Sequence, residues 1–121
     1  MLANDYDAAA GNYVARIYRN LGGDTFADLN AGLSNAYRAG LSWVDYNRDG
    51  YIDVFVADGT TQLYRNVGGT GFVPVASGLP NLNLPASAWG DFDNDGDPDL
   101  ALLGTSGDGF FPLLYRNNGD D

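Results

Sequence analysis

The chain of 121 residues contains no cysteine, no histidine, no glutamate and no lysine. Without cysteine there is no disulfide framework and no thiol nucleophile. With histidine also missing, neither a Ser-His-Asp triad nor a His or Cys zinc site can be assembled. Glu and Lys are strong helix formers, so their absence turns the composition away from helices. All 16 acidic side chains are Asp and all 6 basic ones are Arg, giving a formal charge of −10. That field repels a phosphate backbone and no cluster of Arg offsets it, so nucleic acid is not expected as a partner. Long apolar runs are lacking too. The longest, such as Phe110 to Tyr115, fall far short of the roughly 20 residues that span a bilayer, and no membrane insertion is expected. Met1 to Asp7 has no positive start and no apolar run of about 7–15 residues, so it does not read as a secretory signal.

What is abundant favours strands and turns: 17 Gly, 5 Pro, 8 Tyr and 6 Phe. The length suits one domain or part of one. Comparing the chain with itself reveals its organisation. At a shift of 46 residues, Tyr18-Arg19-Asn20 falls on Tyr64-Arg65-Asn66, Gly32-Leu33 on Gly78-Leu79, Trp43 on Trp89, and Asp45, Asp49 and Asp53 on Asp91, Asp95 and Asp99. A third Tyr115-Arg116-Asn117 follows 51 residues after the second, which implies a five-residue insertion around Thr105 to Phe111. Periods of about 20–50 residues signal solenoids, propellers or arrays.

Each unit reads as short strands separated by Gly and Asn turns: Ala39 to Tyr46 and Ala86 to Phe92, Asp53 to Ala57 and Asp99 to Leu103, Gln62 to Asn66 and Pro112 to Asn117, Thr25 to Leu29 and Gly71 to Ala76. Val54-Phe55-Val56-Ala57 is apolar at every position, so both faces of its sheet are expected to be covered. The expected class is therefore all-β, a β-propeller of four-stranded antiparallel blades with about two and a half blades per chain. The expected units are residues 1–38, a partial first blade with strands three and four and possibly the end of strand two; 39–85, a complete blade; and 86–121, a partial last blade. A β-sandwich is the alternative, although sandwich strands need not repeat in sequence.

Two acidic loops punctuate the repeat, Asp45-Tyr46-Asn47-Arg48-Asp49-Gly50-Tyr51-Ile52-Asp53 and Asp91-Phe92-Asp93-Asn94-Asp95-Gly96-Asp97-Pro98-Asp99. Side-chain oxygens at positions 1, 3, 5 and 9, a main-chain carbonyl at 7 (Tyr51, Asp97) and Gly at 6 make an all-oxygen set of the kind Ca²⁺ takes, about two ions per chain. An EF-hand would need Glu at position 12, where Val56 and Leu102 stand instead. Magnesium, which prefers a tight octahedral shell and keeps most of its waters, suits the loops less well. Without an ion, the converging carboxylates should repel and splay the loop. The bland reading is a pair of Asp-Gly turns whose side chains cap backbone amides. The second loop offers Asp91, Asp93, Asp95 and Asp99 where the first offers Asp45, Asp49, Asp53 and the neutral Asn47, so it is expected to bind more tightly.

The run Trp89 to Leu100, followed by Leu114-Tyr115-Arg116-Asn117-Asn118-Gly119-Asp120, resembles the FG-GAP or VCBS repeat, and the resemblance spans roughly residues 13 to 121. That family builds the propellers of integrin α-subunits, of many secreted bacterial proteins and of some fungal lectins. The resemblance implies calcium sites at the blade edge that serve stability, with Asp45, Asn47, Asp49, Asp53, Asp91, Asp93, Asp95 and Asp99 at ligand positions and Tyr51 and Asp97 giving carbonyls. Family rings usually hold about seven blades. With fewer than three, this chain is expected to close a ring with other copies of itself, head to tail, as a dimer or trimer. The alternative is an excerpt of a longer chain.

Functionally the expectation is a calcium-stabilised, non-catalytic binding or scaffold module that takes a protein or glycan ligand. A lectin using clefts between blades is the alternative, with Trp43, Trp89, Tyr37, Tyr64 and Tyr115 as stacking candidates that also suit core packing. An Asp-dependent glycoside hydrolase is a remote third, since nearly every clustered Asp is claimed by a loop. Arg19, Arg65 and Arg116 either recognise a carboxylate ligand or, as expected here, pair with acids of the neighbouring blade. Calcium sites of about 10⁻⁴–10⁻³ M affinity fill only at extracellular concentrations, which points to a secreted or cell-surface setting.

Overall fold

The computed structural model of the chain describes residues 2–9, 11–34, 40–107 and 109–119. Tyr37 and the expected strand start at Ala39 lie outside them. Among the described residues there are ten strands and no helix: β1 (Leu2–Asp7), β2 (Asn12–Gly22), β3 (Thr25–Asp28), β4 (Gly40–Val44), β5 (Asp53–Asp58), β6 (Thr60–Asn66), β7 (Phe72–Val75), β8 (Asn83–Gly90), β9 (Asp99–Ser106) and β10 (Gly109–Tyr115). They form three antiparallel sheets of consecutive strands, β1-β2-β3, β4-β5-β6-β7 and β8-β9-β10. No described helix is long and apolar enough to cross a membrane.

The sequence period is a structural period. Trp43 lies opposite Val54 and Val44 opposite Asp53; 46 positions later, Trp89 lies opposite Leu100 and Gly90 opposite Asp99. Tyr64 faces Val54 just as Tyr115 faces Leu100, so the five extra residues of the last unit do not disturb the register near the loops. They lengthen the hairpin tip instead. β5 and β6 turn at Gly59, with Asp58 opposite Thr60, whereas β9 and β10 run on until Ser106 faces Gly109.

β1 extends beyond the strand end that the pattern left open. Leu-Ala-Asn-Asp-Tyr-Asp carries no apolar alternation, and its extended state comes from pairing with β2, where Tyr6 sits opposite Tyr13 with ring centroids 5.2 Å apart. Arg16, on β2, binds the ends of both flanking strands: Nη2 donates to Asp7 at 3.2 Å and Nη1 to Asp28 at 2.6 Å.

The middle sheet is packed on both faces, as its continuous apolar strand requires. Val54, Phe55, Val56 and Ala57 are each at most 1 % exposed. Val54 and Val56 join Ala15 and Ile17 of the first sheet; Phe55 and Ala57 join Leu100 and Leu102 of the third. Burying each of the three larger side chains contributes about 1.5–3 kcal/mol. This is a stack of three sheets, not two sheets around one core. Leu82, 2 % exposed, locks the second interface: its carbonyl accepts the Gly59 amide at 2.9 Å, and a Cβ on Gly104 would lie 2.7 Å from its own Cβ. Only glycine permits that approach.

Candidate metal centre

The two acidic loops join β4 to β5 and β8 to β9, and one backbone design recurs in both. Position 4 is left-handed in each, at φ 58° for Arg48 and 61° for Asn94, and so is the glycine at position 6, at 86° for Gly50 and 96° for Gly96. These turns curl the backbone so that its amides point at the carboxylates. Asp45 accepts the Asp49 amide at 3.1 Å and the Gly50 amide at 3.0 Å; Asp91 accepts Asp95 and Gly96 at the same distances. Position 5 is held by position 7: Tyr51 donates to Asp49 at 2.8 Å and Asp97 to Asp95 at 2.9 Å.

Position 9 anchors each loop to the rest of its sheet. Asp53 and Asp99 are 0 % and 1 % exposed. Asp53 accepts amides from Tyr46 at 3.2 Å and Asn66 at 2.7 Å; Asp99 accepts them from Phe92 at 3.0 Å and Asn117 at 2.8 Å. Burial pushes the Asp53 carboxyl above its ordinary pKa; the two amides oppose that shift, and Asp49 and Asp45 add to it.

The capping bonds of the bland reading are therefore present. They leave capacity, because an ionised carboxylate has about four lone-pair sites. In the second loop, one oxygen from each of Asp91, Asp93 and Asp99 lies within 4.8 Å of the others. Oxygens bound to one Ca²⁺ at about 2.3–2.6 Å can lie up to about 5 Å apart, so this all-oxygen group fits the ion in both chemistry and spacing. Among the described residues, Asp45, Asp49 and Asp53 of the first loop do not form such a group.

Asp95, the fourth carboxylate expected at that centre, is engaged elsewhere. Arg116 donates from Nη2 to Asp95 at 2.9 Å and lies 2.7 Å, through Nε, from Asp93. The Asp97 amide and then Arg116 hold the Asp95 carboxyl below its ordinary pKa, while Asp95 above all raises that of Arg116. Amides and guanidinium thus offset the repulsion expected to splay the loop. Arg116 binds acids of its own unit, contrary to the expected pairing with a neighbouring blade. It immediately precedes Asn117, whose amide is tied to Asp99 of the same loop, and so it emerges beside that loop. Arg19 does cross to the next sheet, but to a carbonyl, that of Gly69 at 3.2 Å.

Pattern reading overlooked the asparagine of Tyr-Arg-Asn as a loop support. Asn66 donates from Nδ2 to the Ile52 carbonyl at 3.0 Å, and Asn117 to Pro98 at 3.2 Å and across the sheet boundary to Tyr46 at 2.7 Å. Its recurrence beside every unit was the available signal. A second link between the loops is Arg48, 3.2 Å from Asp97.

The stacking candidates divide. Tyr64 is core, and its hydroxyl accepts the Ser34 amide at 2.8 Å. Trp89 meets Phe55 edge-on at 5.7 Å and donates its indole N–H to Ser42 at 3.0 Å, whereas Trp43 is 42 % exposed and lies 6.5 Å from Phe72. Between the second and third sheets, Tyr46, Trp89, Tyr115 and Arg116 help to line a cleft of about 330 Å³.

Comparison with known proteins adds one finding. A family model described as an FG-GAP-like repeat matches residues 45–102, from the first residue of the first loop through the whole second loop into β9. Neither a curated protein nor a solved structure gives a match. Residues 45–102 therefore carry an FG-GAP-like repeat.

Proposed function

We propose that the chain is a non-catalytic β-propeller binding or scaffold module, stabilised by about two Ca²⁺, that closes its ring with further copies of itself in an extracellular or cell-surface setting. The observation that carries the metal reading is the group formed by Asp91, Asp93 and Asp99, set on an amide scaffold repeated around Asp45, Asn47, Asp49 and Asp53. Calcium, when bound, would supply charge neutralisation that locks β8 to β9 and β4 to β5. Self-assembly is supported by the outer face of the third sheet. Ala101 and Leu103 stand 46 positions after Phe55 and Ala57, which pack the second sheet on the third; Leu103 is 43 % and nearby Leu114 61 % exposed. A second copy is the occupant that this repetition favours.

The test is thermal unfolding with calcium or with chelator, alongside light scattering. An ion that binds only the native state raises the melting point as its concentration rises. The expected result is such a shift, with a mass of two or three chains. No shift removes the metal reading, and a stable monomer at micromolar concentration removes the assembly. The cleft lined by Trp89 and Tyr115 supports the second reading, a lectin. Glycan-array binding that vanishes in Tyr115→Ala with the fold intact would favour it; a blank array favours the scaffold.

A further inference from the structure

The second loop already holds a cation of the chain's own. Arg116 spans Asp93 and Asp95, at 2.7 and 2.9 Å, and those two residues are the third and fifth positions of the ligand set. Its side chain is 55 % exposed while theirs are about a quarter exposed, so the guanidinium approaches from solvent and can swing back into it. Asp95 stands outside the metal-capable group of Asp91, Asp93 and Asp99, with one carboxylate oxygen on the Asp97 amide and the other on Arg116. The first loop answers differently at the same atoms. There Asn47 donates its neutral amide to Asp49 at 3.1 Å, a bond that an amide rotation releases. A guanidinium fork on two carboxylates is a charge-assisted contact, stronger than an amide bond.

We propose that Arg116 is a tethered counter-cation of the second loop, so that metal binding there is an exchange against this guanidinium and Arg116 sets the affinity of the site. The inference rests on the calcium reading above. It reverses what carboxylate number alone suggests, because the loop richer in Asp is also the loop that must release an internal cation before Asp93 and Asp95 can both serve. It also gives Arg116 opposite effects in the two states of the loop. In the metal-free chain it relieves repulsion among the carboxylates; against metal it competes.

Titration calorimetry of the full chain in an Asp45→Ala background reports the second loop without the leading ligand of the first. There, Arg116→Gln is expected to tighten calcium binding on the order of tenfold, and Arg116→Lys, which keeps the charge but loses the fork, by less. Without calcium, Arg116→Gln should melt below its parent; at saturating calcium that difference should disappear. Unchanged or weaker calcium binding in both Arg116 variants overturns the proposal while leaving the calcium reading in place. No binding in the wild-type chain, in the Asp45→Ala background or in the variants overturns both. Should Arg116→Gln not fold, Arg116→Lys alone decides: tightening supports the exchange, and an affinity equal to or weaker than the parent's overturns it.

Discussion

The two acidic loops share a backbone and differ in charge. From the first Asp to the ninth, their amide-to-carboxylate bonds agree to within about 0.2 Å. Yet the oxygens of Asp91, Asp93 and Asp99 converge on one centre, whereas Asn47 faces Asp49 through a neutral amide. The scaffold is thus set by the residues both loops keep, the Asp at positions 1, 5 and 9 and the Gly at 6. The electrostatics are set by the residues they do not share, Asn47 against Asp93, Arg48 against Asn94 and Tyr51 against Asp97. Asp91 and Asp99 belong both to the scaffold and to the metal-capable group, so folding and ion binding share positions 1 and 9, while position 3 is where the loops part.

Removing the ninth position should have the largest effect and should be alike in both loops. Asp53→Ala and Asp99→Ala each strand two amide donors beside a buried side chain, and each is expected to cost about 2–4 kcal/mol in metal-free urea unfolding. A difference between them of more than about 1 kcal/mol would break the equivalence of the scaffolds.

A smaller effect should separate the loops. Asn117 supports its own loop at Pro98 and the other loop at Tyr46, whereas the Asn66 amide reaches Ile52 of its own loop. Asn117→Ala is expected to cost about 1 kcal/mol more than Asn66→Ala, the scale of one additional buried hydrogen bond. Equal costs in parallel melts would show that the Tyr46 contact contributes nothing to holding the second and third sheets together.

The repeat made much of this legible in the sequence. Trp43 and Trp89 marked β4 and β8, the Asp spacing located both loops, and four apolar residues in a row announced that β5 is covered on both faces. β1 was not legible as a full strand, because its extended state comes from β2 and not from its own pattern. Strand ends also moved: β8 begins at Asn83, not Ala86, where Asn83 pairs with Thr105 across a register shift, and β6 begins at Thr60, not Gln62, because Thr60 and Thr61 pair with Asp58 and Ala57 right up to the turn. At the site, spacing identified residue types but not the directions of long side chains. Which acids Arg116 meets depends on where the end of β10 places it. The left-handed turn at Arg48 was hidden as well; its counterpart Asn94 is of a type enriched in that conformation, whereas Arg adopts it seldom.

The smallest expected effect, and the sharpest contrast between the loops, is their response to acid in the metal-free chain. Asp95 has a lowered pKa in the fold, so its contribution to stability is complete above the ordinary Asp value of about 3.9 and is lost as pH falls through the lowered one. Asp53 has a raised pKa, and the sign reverses: the fold favours its protonated form, a contribution present below the ordinary value and lost as pH rises through the raised one. Just above the ordinary Asp value, the contribution of Asp53 should therefore fall with rising pH while that of Asp95 holds constant. Asp53→Asn, neutral at every pH, should remove that decline, and Asp95→Asn should leave it in place. Both are read from urea midpoints across the mildly acidic range with chelator present. If the Asp53→Asn chain follows the wild-type pH profile there, then burial does not govern Asp53, and the contrast between the loops rests on positions 3, 4 and 7 and on Arg116.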